Sequence, residues 1–235
     1  MEKEAGKYEA GQVILVDKPL DWTSFDVVRK IRSLIKIKKV GHAGTLDPLA
    51  TGLLIVCTGK FTKKINEYMG MEKEYTGTFI LGAVTPTFDL ESEPADIKDI
   101  SLISEEQIHN ATKTFTGEIQ QIPPIHSAVK QDGKPVYLMA RKGINVKLEP
   151  RTITINSFII EKIELPVVYF RVVCTTGTYI RSLASDFGKE LGCGAYLGSL
   201  RRTRIGIFTA QNAQRMEDLI HQLKNEALSE RQANS

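Results

Sequence analysis

Two stretches of this chain carry residues that could do chemistry. The first is Gly41-His42-Ala43-Gly44-Thr45-Leu46-Asp47-Pro48-Leu49-Ala50-Thr51-Gly52. Its carboxylate, Asp47, could serve as a nucleophile or general base if it were aimed at a reacting atom. Three glycines permit backbone angles and close approaches that a Cβ would forbid. Pro48 disfavours helical angles at Asp47 and biases it toward an extended conformation. Leu53-Leu54-Ile55-Val56-Cys57 follows, a short apolar and partly β-branched run that predicts a buried strand. The spacing thus presents a carboxylate on a stiffened loop beside a rigid strand, although a Gly-rich surface turn with a solvated Asp fits the same residues. The second stretch is Gly177-Thr178-Tyr179-Ile180-Arg181-Ser182-Leu183. Gly177 turns the chain, Thr178 is a candidate helix cap, and Ile180, Leu183, Ala184, Phe187 and Leu191 form a helical stripe. Arg181 then falls in the first helical turn, where a cation opposes the helix dipole by roughly 0.3–1 kcal/mol. That placement suggests a compensating anion, either a phosphate or a buried carboxylate; a solvated arginine on the exposed side is an equally open reading.

The elements that must position these residues follow from periodicity. Val13–Val16 predicts a strand that stops at Asp17-Lys18-Pro19. Thr23 or Ser24 caps a helix carrying Val27, Val28, Ile31, Leu34 and Ile35. Residues 61–69 predict a short helix with Lys60, Lys63 and Lys64 around it. Lys73–Gly82 predicts a strand with Tyr75, Gly77, Phe79 and Leu81 on one face. Ser104-Glu105-Glu106-Gln107 has the form of a capping box, opening a helix over 104–115. Residues 152–163 and 167–175 predict a strand pair around Leu165-Pro166. Gly192–Phe208 predicts a final strand pair with a basic edge, and Met216–Leu228 a closing helix. Strands and helices are interspersed, which fits an α/β or α+β chain without selecting a topology.

Composition narrows the function classes. The chain has 235 residues, 42% hydrophobic and 25% charged, with a net charge of +3. This is an ordinary soluble domain whose mild basicity permits a nucleic-acid partner without demanding one. Three scattered cysteines argue against a disulfide framework or structural zinc and fit a reducing cytosol. No apolar run approaches the ~20 residues needed to span a bilayer, and the charged N-terminus shows no signal peptide. Thr58-Gly59-Lys60 fails as a phosphate loop, because Phe61 stands where a magnesium-binding hydroxyl is needed. No dinucleotide, metalloprotease or serine-hydrolase motif occurs, so neither a cofactor nor a metal is expected.

The pattern Gly-His-x-Gly-Thr-Leu-Asp-Pro-x-Ala-x-Gly-x-Leu resembles the signature of the TruB family of pseudouridine synthases. Further segments resemble that family in order: Lys18-Pro19, Lys-Glu-Tyr at 73–75, Pro-Pro-x-x-Ser-Ala-x-Lys at 123–130, Gly-Thr-Tyr-Ile-Arg-Ser-Leu at 177–183 and Leu-Arg-Arg at 200–202. The resemblance implies an enzyme that flips uridine-55 out of the tRNA T loop and isomerises it to pseudouridine in the cytoplasm, as a monomer and without a cofactor. By the same resemblance Asp47 is catalytic, Arg181 pairs with it, and Tyr75 stacks on the target base and is linked to proton transfer. His42 fills the vacated space, Tyr179 lines the base pocket, Leu200 contacts the uridine, and Lys18, Lys130 and Arg202 bind RNA. The implied fold is the family's α/β catalytic domain, a mixed and mostly antiparallel sheet flanked by helices, with an RNA-clamping insertion. The expected boundaries are a flexible tail over 1–11, one catalytic domain over 12–229 with the insertion at about 121–151, and a frayed end over 230–235. Only residues 209–235 follow Phe208, too few for the C-terminal PUA domain of many bacterial members. Two rival readings are a non-catalytic RNA-binding or tRNA-folding protein and a hydrolase using Asp47 and His42.

Overall fold

The computed structural model describes residues 6–125, 130–131, 134–135 and 148–233. Within them the chain forms two compact units, one of residues 1–74 and 201–235 and one of residues 75–200.

The first unit holds α1 (Lys7–Ala10), β1 (Val13–Lys18), α2 (Ser24–Ile35), β2 (Val40–Ala43) and β3 (Ala50–Thr58). A 3-10 turn over Gly59–Lys64 leads into α3 (Ile65–Gly70). After residue 200 come β11 (Phe208–Thr209), β12 (Gln214–Arg215) and α6 (Met216–Ala233). The strand β3 is the centre of this unit. It runs antiparallel to β1 from Val13↔Cys57 to Lys18↔Gly52, and antiparallel to β2 from Val40↔Thr58 to Ala43↔Ile55. The strand β12 adds to β1 in parallel, with Val16 opposite Gln214. The unbroken apolar run of β3 has a simple cause: both of its faces are covered. Leu54 and Val56 pack with Val16, Val27, Val28, Ile31, Leu219 and Leu223, which come from β1, α2 and α6. Leu53, Ile55 and Cys57 pack on the other side with Ala43, Tyr68 and Ile205. The segment expected as a flexible tail includes a helical turn, α1. Tyr8 Oη donates to Glu226 at 2.6 Å and Lys7 lies 2.8 Å from the same carboxylate, so α1 is fastened to α6.

The second unit is built on β5 (Gly117–Gln121), β8 (Arg151–Glu164) and β9 (Val167–Cys174), with α4 (Glu105–Thr114) and α5 (Ile180–Glu190). Its sheet order continues β5-β8-β9-β4-β10, where β4 is Lys73–Leu81 and β10 is Ala195–Ile205. Both of these strands contain a unit boundary, after Glu74 and after Leu200. All the long ladders in the register are antiparallel, β5 with β8 and β8 with β9. Alternation along β4 buries Tyr75, Phe79 and Leu81, as the sequence predicts. Phe79 stacks on Phe170 with centroids 4.2 Å apart and meets Phe187 of α5 at 5.5 Å. Aromatic pairs of this kind contribute ~0.5–1.5 kcal/mol each beyond burial, and they fix the helix that carries Arg181. The short hairpin β6 (Lys130–Gln131) and β7 (Lys134–Pro135) pairs antiparallel. Of the expected insertion, residues 126–129, 132–133 and 136–147, where the sequence suggests a short helix near Val136–Arg141, and the side chain of Lys130 lie outside the described residues.

Candidate active site

In the first unit, the loop from Gly44 to Leu49 is held by its backbone, carbonyl by carbonyl. Arg202 Nη2 donates to Gly44 O at 3.0 Å. Ser24 Oγ accepts from Leu46 N at 2.8 Å and donates to Leu46 O at 3.1 Å. Lys18 Nζ and Asp21 N both donate to Pro48 O, at 3.2 and 3.0 Å. Ala50 N closes the turn on Asp47 O at 3.0 Å. Asp47 itself is half-buried. Its side chain is therefore launched from a backbone with little freedom left, which is what an aimed catalytic group requires.

Sequence reasoning expects Lys18 and Arg202 as RNA-facing cations. The structure turns both inward, each with 0% of its surface exposed. The Lys18 ammonium is consumed by the carbonyls of Pro19, Trp22 and Pro48. Arg202 Nε donates to Leu53 O at 2.8 Å and Nη2 to Gly44 O. A phosphate has no approach to either, and their work is to brace the loop. The neighbouring pair faces outward: Arg201 grips Asp17 through two bonds of 2.9 and 2.8 Å, the bidentate form that arginine favours.

Burial lowers the Lys18 pKa to about 8, partly opposed by the negative charges of Asp47 and Asp21. In the unfolded chain this amine holds its proton until about pH 10.5, its ordinary value. Between the two values the unfolded state binds more protons, so folding stability rises with pH. The stability gap between wild type and Lys18→Met is expected to move in favour of the wild type from pH 8 to pH 10.5, by up to about 3 kcal/mol. Thermal melts of both proteins across that range read the change; a gap that stays constant would mean that Lys18 titrates normally.

His42 projects from β2, half-buried. Burial, and then the positive charge of Arg202, lower its pKa, so the imidazole is neutral at pH 7. His42 Nδ1 and Arg202 Nη1 are buried polar atoms with no hydrogen-bond partner among the described residues. Such orphans are uncommon in folded proteins, and Arg32 Nε is a third among the described residues.

In the second unit, Arg181 lies in the first turn of α5, buried at 5% exposure. The anion that this position asks for is a carboxylate: Arg181 Nε is 3.6 Å from Asp89 Oδ2, with Asp89 equally buried. Nη1 donates to Thr87 O at 3.3 Å. Glu91 N holds the Asp89 side chain at 3.0 Å, and Phe88 between Thr87 and Asp89 adopts a left-handed φ of 63°. No periodicity or motif in the sequence singles Asp89 out as the partner of Arg181. The expected cap Thr178 does not cap. Its hydroxyl donates back to Thr175 O at 2.9 Å, and the N-cap position is Tyr179, whose amide donates to Gln121 Oε1 at 2.8 Å. Tyr179 and Leu200 are half-buried and Tyr75 is 8% exposed.

Two family models together match residues 32–233 of the chain. One is described as TruB family pseudouridylate synthase, N-terminal domain, and covers residues 32–180; the other, tRNA pseudouridylate synthase B C-terminal domain, covers 181–233. The class is therefore pseudouridine synthase. A relative named tRNA pseudouridine synthase B from Flavobacterium johnsoniae is 54% identical over 214 residues, 88% of this chain and 93% of that protein. Another of that name from Parabacteroides distasonis is 50% identical over 216 residues, 89% and 92% of the two chains. A solved chain from a Cbf5-Nop10-Gar1 complex superposes with a TM-score of 0.71 at 33% identity, covering 91% of this chain and 54% of its own. The chain thus spans about half the length of that solved relative, and most of the length of the bacterial ones. It belongs to the TruB family of pseudouridylate synthases.

Proposed function

We propose that this protein isomerises uridine to pseudouridine in tRNA, acting on the T-loop uridine at position 55 with Asp47 as the catalytic residue. The observation that carries the reading is the braced loop: Lys18, Ser24 and Arg202, all buried, spend their polar groups on the backbone around one aspartate. The reaction breaks the bond between ribose C1′ and uracil N1 and joins C1′ to C5; C5 gives up its proton and N1 gains one, so the product is an isomer of the substrate. Nothing is oxidised or hydrolysed and the base stays captive, so the isomerisation needs no cofactor. A carboxylate suffices, as nucleophile or base.

The target base must leave its stack, at a cost of a few kcal/mol. Tyr75 recovers part of it by stacking on the flipped uracil, at ~1–3 kcal/mol per base. His42, neutral at pH 7, fills the space left behind. Tyr179 and Leu200 line the base pocket, and Arg181, anchored through its guanidinium by Asp89, acts with Asp47 in the chemical step. Lys130 contacts the RNA from the insertion. The protein acts as a monomer in the cytoplasm, where tRNA is found.

Incubation with an unmodified tRNA transcript, followed by mapping of pseudouridine along the RNA, tests this. One modified T-loop uridine is the expected result. Tight tRNA binding with no modification would favour the rival reading of a tRNA-folding protein.

A further inference from the structure

We infer that Ser24 is a positioning residue for Asp47: its hydroxyl clasps the backbone N–H and C=O of Leu46 and so ties the residue before the carboxylate to the first turn of α2. The inference rests on Asp47 being the catalytic group. Two adjacent hydroxyls, Thr23 and Ser24, open this helix, and capping needs only one. Thr23 takes that task. Its Oγ1 accepts from Asp26 N at 3.0 Å, and Asp26 reciprocates on Thr23 N at 3.1 Å. Ser24 is released from capping and points inward, 2% exposed. It reaches a residue far along the chain, accepting from its backbone N–H and donating to its carbonyl. Two bonds to one residue fix its orientation as well as its position.

The clasp transmits rigidity from a well-packed helix. Val27, Val28 and Ile31 of α2 are buried in the core against β3 and α6. Leu46 is itself 3% exposed, so its side chain and its backbone are both anchored. Ser24 therefore fixes Asp47 from the preceding side, as Lys18 and the Asp21 amide fix it from the following side. Unlike Lys18 and Arg202, Ser24 carries no charge. It cannot attract RNA or bias a carboxylate at a distance, so its influence on rate must come through geometry. Misplacement of a catalytic group by about 1 Å costs about a hundredfold in rate.

The test compares Ser24→Ala, Ser24→Thr and Ile155→Ala with wild type. Single-turnover pseudouridine formation is measured at saturating tRNA, with tRNA affinity, melting temperature and amide exchange alongside. Ser24→Ala is expected to lose about a hundredfold in rate with tRNA affinity within about threefold. Ser24→Thr, which keeps the hydroxyl, recovers most of that loss. Ile155→Ala, a fully buried position on β8, lowers the melting temperature yet leaves the rate per folded molecule unchanged. In Ser24→Ala the Leu46 amide exchanges at least about tenfold faster, without a matching change across Val27–Ile31. A Ser24→Ala rate within about threefold of wild type overturns the inference, whatever happens to the melting temperature. If wild type itself forms no pseudouridine, the functional reading falls, and the exchange data alone decide: an unchanged Leu46 amide overturns the clasp and a faster one upholds it.

Discussion

Asp47→Asn is expected to lower single-turnover pseudouridine formation by at least about a thousandfold while tRNA affinity stays within a few-fold. The substitution keeps the shape of the side chain and removes its charge and its capacity to act as nucleophile or base. The fold around it should persist, because the bonds from Lys18, Ser24 and Arg202 go to the backbone at Gly44, Leu46 and Pro48 and not to the carboxylate. One change is expected nearby. The negative charge of Asp47 holds the Lys18 pKa up against burial, so in the variant that amine should release its proton at a lower pH still. Rates with enzyme in excess over a tRNA transcript, together with a melting curve, separate chemistry from folding. Activity within tenfold of wild type in a folded Asp47→Asn protein would remove Asp47 from the chemical step.

How much of this was legible in the sequence depends on whether the signal was local. The double-sided burial of β3 follows directly from five consecutive apolar residues, Leu53 to Cys57. The strand is longer, Ala50–Thr58, because pairing with β1 continues to Gly52 and Lys18, and pairing partners leave no mark in the strand's own sequence. The capping box at Ser104 and Gln107 is local and forms as written. For α2 the sequence offers Thr23 or Ser24 without choosing, because the choice is made by Leu46, far away in the chain. The inward turn of Lys18 and Arg202 was illegible for a related reason. A lysine before a proline, or an arginine in a basic strand, reads as a solvated or RNA-facing cation; only the fold brings Pro48 O and Gly44 O within reach. Arg181 shows what local physics can yield. Its unfavourable place at a helix start called for an anion, and one is present, although Asp89 could be named only from the coordinates.

Gly52→Ala is expected to destabilise the protein by at least about 3 kcal/mol, a fall of roughly 6–12 °C in melting temperature for a chain of this size. Gly52 closes the signature loop and lies opposite Lys18 on β1. Its φ of +99° is one that L side chains rarely adopt, which alone costs about 1–3 kcal/mol. A Cβ there would also stand 2.3 Å from Arg202 O and 2.9 Å from Arg202 N. Both atoms are backbone, so no rotamer change relieves the clash, and β10 must move away from β3. Arg202 moves with it, loosening its grip on Leu53 O and Gly44 O and slackening the Asp47 loop. The variant should therefore lose activity in its folded fraction as well as stability. Gly117→Ala separates the two causes, since Gly117 has a φ of +101° with nothing within 4 Å of its would-be Cβ. That control should show backbone strain alone and keep full activity per folded molecule. If Gly52→Ala melts no lower than Gly117→Ala, the close approach of β10 to β3 costs nothing, and the glycine is required for its backbone angle alone.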